Sequence, residues 1–98
     1  MTYAVIAHYR CAPEDTELVR ASLLAMREHT RTEPANLAYV VHADTEDANA
    51  FVLYEVYADR AGFEAHAASD HFAEHIVGVV RPRLRERRVT FAAPLPAD

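Results

Sequence analysis

The chain has no lysine and no tryptophan, a single cysteine and only two glycines among its 98 residues. Without lysine there is no Schiff-base nucleophile and no P-loop phosphate clamp, since both chemistries need that side chain. Cys11 alone cannot close an internal disulfide, which fits a reducing cytoplasm. Two glycines and five prolines leave no room for collagen-like or low-complexity architecture. No apolar run approaches the roughly 18 residues of a membrane span. The start, Met1 to Ile6, lacks the basic segment and long apolar stretch of a secretory signal. The net charge is −5, the wrong sign for a surface that binds nucleic acid.

What remains is the balance of one soluble globular domain over residues 1–98, 51% hydrophobic and 26% charged. Six histidines are many for this length and are the most informative count.

Thr2 to Arg10 alternates as a strand, with Tyr3, Val5, Ala7 and Tyr9 on one side and Ala4, Ile6, His8 and Arg10 on the other. Pro13 opens a helix whose first turn is acidic (Glu14, Asp15, Glu17), complementing the helix dipole. Val19, Leu23, Met26 and Thr30 continue it at helical spacing, and it must stop before Pro34. Asn36 to His42 and Phe51 to Tyr57 read as two strands joined by the polar turn 44–49, a hairpin. Asp59 caps a helix carrying Phe63 and His66, and Ser69 caps another stretch with Phe72, Ile76 and Val79 or Val80. Pro82 ends that stretch, and Arg87 to Ala92 is a fourth strand.

The order β-α-β-β-α-β is the ferredoxin-like α+β arrangement, a four-stranded antiparallel sheet with both helices on one face. The other face is then bare. Tyr3, Val5, Ala7 and Tyr9 are expected there, with Val52, Tyr54 and Val56. So large an apolar patch calls for a cover, and a second copy of the chain is the simplest one. The expectation is a homodimer.

Several segments together carry a family resemblance: Glu33-Pro34-Ala35-Asn36-Leu37-Ala38-Tyr39, the turn His42 to Asp47, Phe51 to Tyr57, Phe63-Glu64-Ala65-His66 and Ser69-Asp70-His71-Phe72. The chain resembles the antibiotic biosynthesis monooxygenase family, which includes quinol monooxygenase-like proteins. The resemblance implies a dimeric α/β barrel with a pocket in each subunit between sheet and helices. It also implies oxidation of phenolic or hydroquinone-like compounds by O2, with neither metal nor flavin. The family holds isomerases and haem-degrading enzymes as well. Where the latter carry an iron-ligating histidine, this chain has Ile76. Position 57, often tryptophan in the family, is Tyr57 here.

On the third strand Phe51, Leu53, Glu55 and Tyr57 share a face, expected to be the helix side. A carboxylate amid apolar residues is either an ion-pair anchor or functional. His66 is its expected partner: a Glu55–His66 pair would fix the imidazole tautomer, raise its basicity and suit it as a general base for a phenol. The plain alternative for His66 is a capping or packing histidine. Substrate-binding candidates are Asn36 and Tyr57, with His8 on the expected helix side of the first strand, Tyr39 as pocket wall or core, and His71 at the pocket mouth. His71 to His75 spells H-x-x-E-H, but only 23 residues follow His75, too few to supply a further zinc-peptidase ligand and a substrate cleft. The run Arg81 to Arg88 either attracts an anionic substrate or is a solvated edge. The expected activity is that of a cofactor-independent monooxygenase of a small aromatic substrate, with no metal site and with neither nucleic acid nor membrane as partner. An isomerase or lyase on the same scaffold, or a non-catalytic small-molecule binder, is the alternative.

Overall fold

A computed structural model describes residues 1–96. The chain runs β1 (Tyr3–Cys11), α1 (Thr16–Thr30), β2 (Asn36–Ala43), β3 (Ala50–Tyr57), α2 (Arg60–Ala67), a π-helical segment (Phe72–Val80) and β4 (Leu84–Ala92). The strands form one antiparallel sheet in the order β2-β3-β1-β4. The helices pack on one face of it, which is the β-α-β-β-α-β architecture. Pro13 to Asp15 make a single 3-10 turn before α1, so the long helix opens three residues later than expected. Pro82 sits in a second 3-10 turn, Arg81–Arg83, from which β4 emerges directly at Leu84 rather than Arg87.

The core lies between the sheet and α1. Val19, Leu23, Met26 and Thr30, at spacings of four, three and four, are fully buried on α1. They meet Ala7, Tyr9 and Cys11 of β1 and Phe51 and Leu53 of β3, with Ile76 and Val80 closing the layer. The two faces of β1 are the reverse of the expectation. Val5 pairs with Glu55 and Ala7 with Leu53, so Val5, Ala7 and Tyr9 lie beneath the helices. Ala4, Ile6 and His8 are on the open face, opposite Val56, Tyr54 and Val52. Both parities of β1 begin apolar, so alternation alone did not decide which side the helices cover. The helix-side assignment of Phe51, Leu53, Glu55 and Tyr57 holds, since all four are buried.

Two packing details give stability predictions. A Cβ added at Gly62 would stand 2.6 Å from the Ala35 Cβ, where α2 presses on the turn before β2. Gly62→Ala should therefore lower unfolding stability by about 1–3 kcal/mol, the usual effect of overpacking. A denaturant midpoint equal to wild type would show that α2 is not held this tightly. The Thr30 hydroxyl is buried without a hydrogen-bond partner among the described residues. Thr30→Val keeps the shape and removes the stranded hydroxyl, and should raise stability by about 1 kcal/mol. A loss instead would reveal a partner for that hydroxyl, such as a buried water.

Asp59 accepts a hydrogen bond from the Gly62 amide at 2.8 Å, fixing the start of α2. Ser69 Oγ accepts from the Phe72 amide at 3.2 Å. From Phe72 the chain winds as a π-helix: the Arg81 amide donates to the Ile76 carbonyl, five residues back. Buried Ile76 and Val80, with part-buried Phe72, recur every fourth residue, a spacing that ordinary helical periodicity also satisfies. The wider turn had no separate signal in the sequence.

Candidate active site

Glu55, in mid β3, is 5% exposed, and His66, on the inward side of α2, is 2% exposed. Their approach is 3.6 Å, from His66 Nε2 to Glu55 Oε1, too long for a hydrogen bond. The hydrogen-bonding partner of His66 is a different carboxylate. His66 Nδ1 lies 3.1 Å from Glu33 Oε2. His71 Nε2 approaches the same oxygen at 2.5 Å. Glu33 stands in the tight turn between α1 and β2, where its amide donates to the Thr30 carbonyl. With Nδ1–H donating to Glu33, the Nε2 lone pair of His66 faces Glu55. On the far side, the Tyr57 hydroxyl donates to Glu55 Oε1 at 2.7 Å. The result is a continuous line His71–Glu33–His66–Glu55–Tyr57 from the part-exposed His71 into the sheet.

Burial governs the protonation of this line. Glu55 is pushed up to about 7, chiefly by desolvation and further by the Glu33 charge, against the hydrogen bond from Tyr57. Tyr57 is pushed far above the ordinary phenol range by burial and by the neighbouring Glu55. Tyr39 is also held well above it, by burial first and then by Glu55. His66 moves down. Desolvation outweighs the favourable charge and hydrogen bond of Glu33, so the pairing does not raise its basicity as the sequence suggested. Near neutral pH the imidazole is neutral and able to accept a proton at Nε2.

Aromatic rings enclose the imidazole. Tyr57 and Phe72 have centroids 5.2 Å from it, and Tyr39 and Phe63 6.1 Å. Of the rings beside His66, those of Phe63, His71 and Phe72 are part-exposed.

The other candidates divide. Tyr57 and Tyr39 both pack beside the His66 ring, and Tyr39 is part of the hydrophobic core. His71 is at the outer edge of the site, part-exposed and in contact with Glu33. Asn36 spends its amide on the backbone: Nδ2 donates to the Ala38 carbonyl at 2.9 Å and lies 3.4 Å from the Val56 carbonyl, bridging the irregular start of the β2–β3 pairing. His8 is on the opposite face of the sheet from His66, in register with Val52 and Arg88, and lines a separate depression with Arg10, Glu86 and Arg88. The arginine run behaves as an edge: Arg10 pairs with Glu86 at 2.8 Å, and Arg83 Nε lies 3.8 Å from Asp15 Oδ1. Glu33, which the sequence did not single out, is the carboxylate that holds both His66 and His71. Turn residues obey no strand or helix parity, and it lies 33 positions from its histidine.

The family model described as antibiotic biosynthesis monooxygenase matches residues 2–77. A curated protein of Mycobacterium tuberculosis named "Putative monooxygenase Rv0793" is 33% identical over 92 residues, spanning 94% of this chain and 90% of that protein. The solved structure of Rv0793 superposes with a TM-score of 0.89 at 31% identity, covering 97% of this chain and 96% of that one. The structure of PA3566 from Pseudomonas aeruginosa gives a TM-score of 0.88 at 26% identity, over 96% and 94% of the two chains.

Proposed function

The chain belongs to the antibiotic biosynthesis monooxygenase family, and from that premise we propose that it oxidises a small phenolic, hydroquinone-like or polyketide-like aromatic with O2, without a cofactor, to a quinone. The observation that carries this reading is the buried His66, held by Glu33 at Nδ1 with its Nε2 free inside an aromatic enclosure. His66 Nε2 removes the proton of a phenol, or of an activated C–H beside an aromatic ring. Glu33 stabilises the imidazolium from behind. The electron-rich anion gives one electron to O2. Superoxide and the substrate radical then join through a new C–O bond, and the imidazolium returns its proton to make a hydroperoxide. Loss of water converts that carbon to a carbonyl. In sum, a phenol with a para C–H plus O2 gives a quinone plus H2O. The enclosure supplies a dry site that holds the anion beside O2.

An isomerase or lyase would use the same base without oxygen. O2 uptake across a panel of hydroquinones and anthrones, with an anaerobic control, separates the two. The oxygenase reading expects uptake proportional to enzyme; product forming equally without O2 contradicts it.

A homodimer belongs to this proposal. The open face aligns Val40, Tyr54, Ile6 and Thr90 across the four strands, above a row of Ala38, Val56, Ala4 and Ala92. Tyr54 is 44% and Val40 38% exposed on that face. A contiguous apolar surface of this kind supports burial against a second copy. No helix among the described residues is long and apolar enough to cross a membrane. The buried lone Cys11 suits the cytoplasm proposed as its location.

A further inference from the structure

We propose that Glu33, His66 and His71 form a binding site for one divalent first-row transition-metal ion, with zinc the simplest occupant. The three side chains each offer one ligand atom, and these atoms all lie within 4.8 Å of one another. Two histidines and one carboxylate make the N/O ligand set of three-residue zinc sites and of non-haem iron sites, both of which keep positions open. An ion about 2.0–2.2 Å from each ligand sets those atoms roughly 3.4 Å apart. The Glu33–His66 separation of 3.1 Å already fits. The Glu33–His71 separation of 2.5 Å must widen on binding.

Three further features of the surroundings agree. The ligands are sheltered: His66 is 2% exposed and Glu33 16%. A depression lined by His29, Asp70, His71 and Glu74 lies beside the outer ligand. The His29 ring stacks on that of His71 at 5.3 Å, backing the outer ligand. A bound cation takes the place of the protons that otherwise bridge Glu33 to the two imidazoles. Metal-loaded and hydrogen-bonded clusters are thus alternative states of the same three residues. The site stands on this geometry whether or not the oxygenase reading holds.

A competing explanation for any metal affinity is the helical pair His71 and His75, which shares one ligand with the proposed site. Co2+ titration of EDTA-stripped protein, followed by visible d–d absorption and by calorimetry, tells them apart without any substrate. The site predicts one Co2+ per chain. Affinity should fall at least tenfold in His71→Ala and in Glu33→Gln, and stay within twofold of wild type in His75→Ala. Absence of Co2+ binding overturns the proposal. So does binding that survives Glu33→Gln but is lost in His75→Ala. Circular dichroism of each variant confirms folding, and the conservative Glu33→Gln keeps the turn filled. Because the readout is binding, a failed oxygenase assay leaves this result intact, and a failed titration leaves the oxygenase assay intact.

Discussion

His66→Ala should lower kcat/KM for O2-consuming turnover by about 10²-fold or more, the usual contribution of a positioned general base. The physical basis is specific. His66 Nε2 is the imidazole nitrogen that faces the enclosure without a hydrogen-bond partner among the described residues, and its ring is oriented by Glu33 at 3.1 Å. Removing the ring leaves two carboxylates, Glu33 and Glu55, inside a mostly apolar enclosure and opens space beside Phe72 and Tyr57. Some loss of stability is therefore expected too, so activity must be compared at a temperature where circular dichroism shows the variant folded. Glu33→Gln separates positioning from packing. It keeps the shape and weakens the anchor, and should cost about tenfold in kcat with a smaller change in KM, the scale typical of an outer hydrogen-bond partner. Full turnover in His66→Ala would assign proton removal to another group, with Glu55, which faces Nε2, the first candidate.

Tyr54→Glu should convert the proposed homodimer to a monomer at micromolar concentration. Tyr54 stands at the middle of the open face, between Val40 on β2 and Ile6 on β1. A carboxylate there sits in the apolar row of Val40, Ile6 and Thr90, with the cations of this face outside that row: Arg88 lies opposite His8, and Arg10 pairs with Glu86 at the rim. Burying an unpaired charge, or avoiding it by rearrangement, should raise the dimer dissociation constant by roughly two to three orders of magnitude. Sedimentation of wild type and variant measures it. An unchanged dimer mass would place the interface elsewhere, and a monomeric wild type would contradict the dimer outright.

How much of this was legible in the residues differs by element. The order of strands and helices was, because each segment carries its own punctuation: Pro34 after α1, Asp59 capping α2, Ser69 before the next helix and a polar turn between β2 and β3. The inward side of β3 was legible as well, since Glu55 and Tyr57 share parity with Phe51 and Leu53. The inward side of β1 was not. Ala and small aliphatic residues occupy both of its parities, and only pairing with β3 decides between them. That single ambiguity displaced His8 to the wrong face. The site was half legible. His66 and Glu55 stood out as polar residues in apolar surroundings, whereas Glu33 sits in a turn where a glutamate draws no notice. Its role depends on a tertiary contact that no periodicity encodes. Nor could pattern reading anticipate that desolvation at His66 would outweigh its carboxylate neighbour.

Oxygen chemistry at the Glu33–His66–Glu55 cluster is tested most directly by turnover under 18O2. EDTA-treated protein would be given an anthrone or hydroquinone substrate and the products analysed by mass spectrometry. The predicted result is one labelled oxygen in the quinone, the other in water, and loss of both signals in His66→Ala. Product carrying no label, or label incorporated at the wild-type rate by His66→Ala, would contradict it.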